Sequence, residues 1–515
     1  MLEDLDLSSI QDERARQCII LLLHLLEDLK QENHTLWEEL QCLRDEINRL
    51  KGEQGKPTIR PTTIPATDHA SERERRPPKA GAKARTRGQI TIDREQVVTV
   101  DRAILPPDAA CKGYEPVVVQ DISIQTDNVR FLKEKFYSAT EGKTYLADLP
   151  LGYAGACGPG VRALALMIAC ACQMTEPKIQ AWFQHIGVQI SAGQISNLLI
   201  KDQAPFHAEK DAAYAAGLRS SPWQHLDDTG TRVNGQNHHC HVVENPLHTT
   251  SLTTASKDRL TVIDVLRHGQ PRTFRLNAEA LGYLETAGVS AITRRQLAHL
   301  PHEQAWDEAT LQRLLDEHVP GQGAQPRKWM LDAAAVAAYH AQTEWPVVRL
   351  LICDGALQFT WVTEDLALCW IHEGRHDKKL LPYVPQNRTL LDAFLDEFWT
   401  FYNELLVYRQ RPTAEERVRL SAAFDMLFAR VTGYQALDER IARTKTKKAS
   451  LLLVLDNPEI PLHHNPAELG ARQRVRKRAI SFGPRTPDGA KAWDNLHVVG
   501  GDRQEAGGEL LPVHP

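Results

Sequence analysis

The chain has 515 residues, of which 42% are hydrophobic and 25% are charged. Both fractions match those of globular proteins, and this length holds about three or four domains of roughly 150 residues. The 66 acidic and 61 basic residues give a net charge of −5. This balance excludes a uniformly basic nucleic-acid binder and restricts any DNA contact to local basic patches.

The cysteines and the N-terminus indicate a cellular compartment. The nine cysteines are odd in number and contain no CxxC pair, which argues against a disulfide framework and favours a reducing environment. The N-terminus, MLEDLDLSS, lacks the basic segment of a signal peptide. The most apolar stretches are about nine residues long, whereas a membrane-spanning helix needs about 20. We therefore expect a soluble, cytoplasmic protein.

Residues 1–52 carry a heptad repeat that predicts a coiled-coil dimerisation helix. One set of positions is all leucine, and the other is β-branched or leucine apart from Asn33. A single Asn at an a position is typical of parallel dimers in a fixed register. The alternative is one amphipathic helix that packs on its own domain. The two sets are Ile19, Leu26, Asn33, Leu40 and Ile47, and Leu22, Leu29, Leu36, Leu43 and Leu50.

Residues 53–90 form a predicted disordered linker, because periodicity is lost and prolines recur. Seven basic residues lie between Arg73 and Arg87, against one acid, Glu74. The linker is either a solvated tether or a basic arm that neutralises DNA phosphates, in which case Arg85 and Arg87 contact DNA.

Two smaller regions follow the linker. Residues 91–150 contain short runs such as QVVTV and PVVVQDISI, which predict a small β-rich module. Residues 151–220 read as helical, with one helix over 175–186 and a second capped by Ser191. This outline fits either a DNA-binding helix-turn-helix or a plain packed helical pair.

Three acidic segments after residue 220 carry the candidate chemistry. Asp227 and Asp228 lie in a predicted strand, Asp354 follows the apolar run Val347–Cys353, and Glu468 falls in the first turn of a helix that Pro466 starts. Taken alone, any one of these acids fits a capping or surface role. If folding gathers them, their mutual repulsion calls for a hard divalent cation such as magnesium, which prefers oxygen ligands.

The motifs around these acids resemble those of the DDE transposases of the bacterial insertion-sequence family IS66. The resemblance covers roughly residues 90–500, and its four motifs occur in the family's order. The matching residues are Asp227-Asp228-Thr229, Asp354-Gly355, Cys369-Trp370-Ile371-His372, and Asn465-Pro466-Ala467-Glu468 followed by Arg472.

The resemblance implies an α/β fold with an RNase H-like catalytic core over residues 221–500. Helical inserts would lie at about 270–345 and 380–450, and a tail would occupy 501–515. Asp227, Asp354 and Glu468 would bind magnesium or manganese, as two ions about 3.5–4 Å apart that support phosphoryl transfer. The auxiliary residues would be Asp228, Cys369, His372 and Asn465. The family's zinc-ribbon-like module would be degenerate here, because Cys111 stands alone.

The segment after Glu468 is strongly basic. We expect its cations to hold DNA phosphates beside the metal ions, although a solvated basic helix would have the same sequence. These residues are Arg472, Arg474, Arg476, Lys477 and Arg478.

These patterns lead to one principal hypothesis. The chain is expected to be a transposase that cleaves transposon ends and joins them to target DNA, acting as a homodimer or larger assembly and with accessory proteins of the same element as further partners. The alternative is an inactive relative that binds DNA and regulates transposition. A zinc hydrolase built on His238, His239, Cys240 and His241 is a third interpretation. Cys369 and His372 fit either a metal site or a packing and DNA-positioning role.

Overall fold

The computed structural model describes residues 11–50, 90–153, 155–302 and 304–495. They form a mixed α/β structure with a five-stranded sheet, so the α/β part of the predicted fold class is confirmed. Within these ranges no helix combines the length and the apolar character that crossing a membrane requires. The predicted contacts of Arg85 and Arg87 and the predicted tail 501–515 lie outside the described residues.

The described residues form a five-stranded sheet, a small exposed hairpin and a set of helices. The strands are β1 (Lys135–Ser138), β2 (Lys143–Leu146), β3 (Trp223–Val233), β4 (Gln236–Asn245), β5 (His248–Thr254), β6 (Leu350–Cys353) and β7 (Asp365–Leu368). The helices are α1 (Glu13–Leu50), α2 (Pro159–Cys170), α3 (Glu176–His185), α4 (Ala192–Ile200), α5 (Ala204–Arg219), α6 (Arg259–Leu266), α7 (Ala278–Thr286), α8 (Ala291–Leu297), α9 (Glu308–His318), α10 (Ala324–Ala341), α11 (Trp370–Lys378), α12 (Pro385–Gln410), α13 (Ala414–Leu427), α14 (Gln435–Thr446), α15 (Lys448–Leu451) and α16 (Asn465–Ser481).

The central sheet has five strands in the order β5-β4-β3-β6-β7. Strands β3, β4 and β5 form an antiparallel meander, and β6 and β7 run parallel to β3. Asn234 and Gly235, with φ of 51° and 76°, make the two-residue turn between β3 and β4, as Asn-Gly pairs do in tight hairpins. Every residue of β6 is buried, as expected of a parallel strand covered on both faces.

The prediction of a β-rich module at 91–150 is wrong for most of that region. The described structure there is a short 3₁₀ helix at Arg102–Ile104 and the hairpin of β1 and β2. Val98 and Val119, from the two apolar runs, are 82% and 80% exposed. β-Branched residues favour strands, but a strand also needs a partner edge and a buried face, which the described residues do not supply here.

The helical region 151–220 folds as predicted. Helices α3 and α4 form, and Ser191 makes the capping box with Gln194. Gly187, at φ 89°, ends the preceding turn. The helices share a small core that includes Ile168, Phe183 and Ile195. Whether this pair binds DNA stays a prediction.

The two helical inserts belong to the main hydrophobic core. Phe274 and Tyr339 from the first insert and Phe398 from the second are fully buried in the same cluster as Leu226 of β3 and Ile352 of β6. The inserts are therefore folded parts of the domain that hold the sheet, as their helical patterns predict.

Helix α1 forms over the predicted coiled-coil segment, and much of its leucine stripe is exposed. Leu22, Leu29 and Leu36 are 64%, 59% and 49% exposed, whereas Leu26 of the same stripe is half-buried. The contact with the rest of the chain lies beside Leu26: the buried Glu27 carboxylate accepts hydrogen bonds from the backbone N–H groups of Tyr383 and Val384 at the start of α12. A carboxylate at a helix N-terminus satisfies free N–H groups and the helix dipole.

Candidate functional site

The register of β3 and β6 brings Asp227 and Asp354 together. His225 pairs with Ile352 in the parallel ladder. Side chains alternate along a strand, so two residues further on Asp227 and Asp354 project from the same face of neighbouring strands. The parallel pairing thus brings together two acids that are far apart in sequence.

A tight turn sets the position of Asp354 directly after β6. Gly355 has φ +86°, and a Cβ atom on it would lie 3.0 Å from Leu368 Cδ2. Both features require glycine. The Asp354 Oδ1 atom accepts a hydrogen bond of 2.9 Å from the backbone N–H of Ala356, which fixes the carboxylate at the end of the strand.

Helix α16 supplies Glu468 from above the sheet. Pro466 lies in its first turn, as predicted, and Glu468 follows. Gly470 lies so close to β4 that a Cβ atom on it would be 2.7 Å from Val242 Cγ1. Because Val242 pairs with Asp227, the two share one face of the sheet, and α16 covers the face that carries Asp227.

Strand β3 and helices α11 and α16 border an open cleft of about 360 Å³. Asp354 is not among its lining residues, but its charge acts on Asp227, His372 and His464. The lining residues are Asp227, Asp228, Thr229, His372, His464, Glu468, Ala471, Arg472 and Val475.

Asp227 lies in surroundings that oppose its ionisation. Burial raises the pKa of Asp227 to about 7, and the neighbouring charge of Asp354 adds to this, with smaller contributions from Glu468 and Asp228. The backbone N–H of Asp228, 2.9 Å from Asp227 Oδ1, opposes the rise. The arrangement is a concentration of negative charge that a cation would stabilise.

Two of these acids already have cationic partners that sequence reasoning missed. Arg375 donates to Glu468 at 3.2 Å, and Lys257 donates to Asp228 at 3.1 Å. Gln358 also donates to Asp228, at 2.7 Å. Arg375 was detectable, because it lies three residues after His372 and therefore on the same helical face. Lys257 and Gln358 give no such signal.

Beside Glu468 lies a cluster formed by Cys369, His372 and His464. One ligand atom from each lies within 4.8 Å of the others. Cys369 precedes α11 and His464 precedes α16, so the cluster joins the starts of two helices. Burial lowers the pKa of His464 to about 4, with the positive charge of His372 as a further cause. Asn465, the fourth auxiliary residue, is buried as the first residue of α16.

The second histidine cluster forms no metal site among the described residues. His238, His239, Cys240 and His241 follow one another along β4, where successive side chains point to opposite faces. His241 Nε2 lies 2.9 Å from Thr254 Oγ1, so this histidine has a structural partner. The zinc-hydrolase interpretation therefore loses its ligand set.

Two of the five predicted DNA-binding cations on α16 are internal, which corrects the prediction. Arg474 is 2% exposed and donates to Asp494 Oδ1 at 2.7 Å. Lys477 is buried and donates to the backbone oxygen of Ala169 at 2.8 Å. A helix that lies on a sheet must turn one face inward, and these two positions are on that face. Arg472 and Arg476 are exposed and Arg478 is half-buried.

Comparison with known proteins gives one informative match. The uncharacterized protein y4jO of Sinorhizobium fredii is 33% identical over 294 residues, which cover 55% of this chain and 87% of that protein. No family model matches the chain, and no solved structure matches it.

Proposed function

The chain belongs to the same family as the uncharacterized protein y4jO, and we propose that it is a metal-dependent DDE transposase of the IS66 type. The observation that carries the proposal is the convergence of Asp227, Asp354 and Glu468, from three distant segments, on one face of the sheet. A structural role for any one acid would not require the other two beside it.

The sheet topology supports an RNase H-like assignment of the core. An antiparallel meander, β3 to β5, is extended on its other side by two parallel strands, β6 and β7. In this arrangement the first acid lies on the central strand, the second follows the neighbouring strand, and the third comes from a helix packed on the sheet. The three acids therefore follow one another along the chain in the same order as the motifs of the family that the sequence resembles.

The donor set fits magnesium or manganese. Asp227, Asp354 and Glu468 offer hard carboxylate oxygens, and their mutual repulsion is relieved by a cation. When bound, two such ions stabilise the attacking and leaving oxygens of an in-line phosphoryl transfer. Arg375, which now neutralises Glu468, must give up part of that contact when the carboxylate binds a metal ion.

The remaining residues of the cleft hold and orient DNA. Arg472 lines the cleft, and the exposed Arg476 lies one turn further along α16, where both cations meet phosphate groups. In the first reaction water attacks the phosphodiester at the transposon end, and the bond to the 3′ oxygen breaks. In the second, the freed 3′-hydroxyl attacks a target phosphodiester and the bond from that phosphorus to the target's own 3′ oxygen breaks. The transposon 3′ end is thereby joined to the target 5′ phosphate, and the target strand is left with a free 3′-hydroxyl. The protein contributes alignment and charge neutralisation.

We further propose that two copies associate through α1. The exposed leucines of its heptad stripe would pack in a parallel coiled coil. The contact of Glu27 with the start of α12 lies beside the stripe and leaves Leu22, Leu29 and Leu36 exposed, so these leucines stay available to a second copy. A dimer can hold two transposon ends at once.

The test is cleavage of DNA that carries the repeated terminal sequences flanking this reading frame. The full chain is incubated with labelled ends and magnesium or manganese, and strand nicking is measured. The variants Asp227→Asn, Asp354→Asn and Glu468→Gln should each lower nicking by about 100-fold or more, because each removes a metal ligand. Glu415→Gln, an exposed acid on α13, is the matched control and should retain full activity.

Two outcomes would reject the proposal. Nicking that survives all three substitutions would place the chemistry elsewhere. Tight binding of the ends without nicking under either divalent ion would identify a regulator that binds DNA without cutting it.

A further inference from the structure

We propose that Cys369, His372 and His464 form a zinc site that is distinct from the acidic site. One sulfur and two imidazole nitrogens lie within 4.8 Å of one another. A tetrahedral zinc ion with bonds of about 2.3 Å to sulfur and about 2.0–2.1 Å to nitrogen places its ligand atoms roughly 3.5 Å apart. Small side-chain shifts therefore bring the observed group to binding geometry.

The donor chemistry separates this site from the carboxylates. A thiolate with two imidazoles suits zinc, whereas carboxylate oxygens suit magnesium or manganese. The protein therefore holds a soft donor set and a hard donor set side by side. The zinc site does not depend on the transposase assignment, because its three ligands are identified only by their donor atoms and the distances between them.

The two histidines lack hydrogen-bond partners where a ligand is expected. The Nδ1 atoms of His372 and His464 are buried and have no hydrogen-bond partner in the described structure. They lie 3.6 and 3.8 Å from Glu468 Oε1, too far for hydrogen bonds. A buried nitrogen without a partner is unfavourable, and a metal ion at this point would satisfy both.

The surroundings of Cys369 suit a bound thiolate. Cys369 is 1% exposed. Burial raises the pKa of its free thiol to about 12, and the backbone N–H groups of His372, His464 and Ile371 partly oppose this rise. Binding releases the thiol proton to solvent, and zinc undergoes no change of oxidation state. The fourth position of a tetrahedral zinc ion would be open to a water molecule, and Glu468 would stay with the acidic site.

The site would link two helices that carry functional groups. Cys369 and His372 belong to the start of α11, and His464 precedes α16. A zinc ion between them would fix the first turn of α16 and with it the position of Glu468. The zinc ligands are positioning residues in this account.

The experiment measures zinc in the full-length protein. The protein is stripped with a chelator, exposed to zinc alone at micromolar concentration, desalted and analysed for metal content. We expect roughly one zinc per chain, and about a tenfold lower content in Cys369→Ser, His372→Gln and His464→Gln. Cys111→Ser and His238→Gln, which change a cysteine and a histidine elsewhere, should keep the full content.

Cobalt provides a second readout that a folding defect does not mimic. Cobalt bound to the unmodified protein should show a thiolate charge-transfer band, and Cys369→Ser should lose this band while its circular dichroism stays unchanged. The variant Asp354→Asn should keep its zinc, which separates this site from the acidic site. Zinc content that is negligible in the unmodified protein, or equal in the unmodified protein and the three ligand variants, would overturn the proposal.

Discussion

At the scale of single residues, folding makes the ionisation of the Asp227 carboxyl less favourable than it is in the unfolded chain. Asp227 is held between Asp354, Glu468 and Asp228, and its pKa is raised to about 7, chiefly by burial. The folded chain thus retains a proton that the unfolded chain loses above about pH 4. Evolution tolerates such unfavourable clusters mainly where function needs them.

This shift predicts how the variant Asp227→Asn changes stability with pH. Between about pH 4 and pH 7 the folded state binds more protons than the unfolded state, so stability falls as pH rises and the loss is complete above pH 7. Asparagine does not titrate and avoids the loss. In metal-free buffer Asp227→Asn should therefore be more stable than the unmodified protein by roughly 1–3 kcal/mol at pH 8, with little difference at pH 4.

Denaturant unfolding at several pH values measures this effect. Magnesium should stabilise the unmodified protein at pH 8 but not the variant. Glu415→Gln should follow the unmodified curve throughout. A stability gap between Asp227→Asn and the unmodified protein that stays constant across the pH range would show that Asp227 keeps an ordinary pKa.

At the scale of elements, helix α16 combines two roles on opposite faces. Arg474 and Lys477 turn inward, where they bind Asp494 and the carbonyl oxygen of Ala169, while Arg472 and Arg476 face outward. The sequence shows one continuous basic run. Only the packing of the helix separates the cations that stabilise the fold from those that can meet a ligand.

The two faces predict opposite effects of removing an arginine. Arg474→Met leaves the Asp494 carboxylate buried without its partner, which should lower the free energy of unfolding by about 3–5 kcal/mol. Arg476→Gln should change stability by less than about 0.5 kcal/mol, while the slope of log affinity for DNA against log salt should fall by about one. Denaturant unfolding and DNA-binding titrations over a range of salt separate the two. Equal stability losses would contradict the assignment of faces.

Element types were more predictable than their contacts. The strands at 223–254, the strand before Asp354, the capped helix at Ser191 and the start of α16 all follow from apolar runs, turn residues and caps. The exposed apolar runs at 91–134 show that β-propensity alone does not predict a strand. A strand also needs a partner, and the sequence of the run does not indicate whether one is present. Likewise, no spacing in the sequence indicates that Lys257 binds Asp228 or that His464 lies beside Cys369, because these contacts depend on the assembled tertiary structure.

At the scale of the whole molecule, α1 contacts the start of α12 and leaves Leu22, Leu29 and Leu36 exposed. The contact runs through Glu27, with Lys30 Nζ 4.9 Å from the centre of the Tyr383 ring. An exposed apolar stripe of this kind favours packing against a second helix. In the proposed dimer, a copy of the same chain would supply that helix with matching heptads.

The double variant Leu29→Glu, Leu36→Glu should therefore convert a dimer into a monomer. Two buried leucines contribute about 1.5–3 kcal/mol each, so the dissociation constant should rise by about 100-fold or more. Light scattering after size-exclusion chromatography measures the mass. Leu21→Glu is the control, because this leucine is equally exposed but lies outside the two heptad sets. A mass that is unaffected by the double change would mean that the stripe faces something other than a second copy.

The crossover that joins β3 to β6 also determines when the site can exist. The parallel pairing of Trp223 with Leu350 cannot begin until the ribosome has made the whole helical insert, and the cleft stays open on one side until α16 has been synthesised. A nascent chain therefore carries Asp227 for nearly half of translation without a complete set of acids. Under the proposed function, a polypeptide interrupted before α16 would lack Glu468 and would be unable to cut DNA.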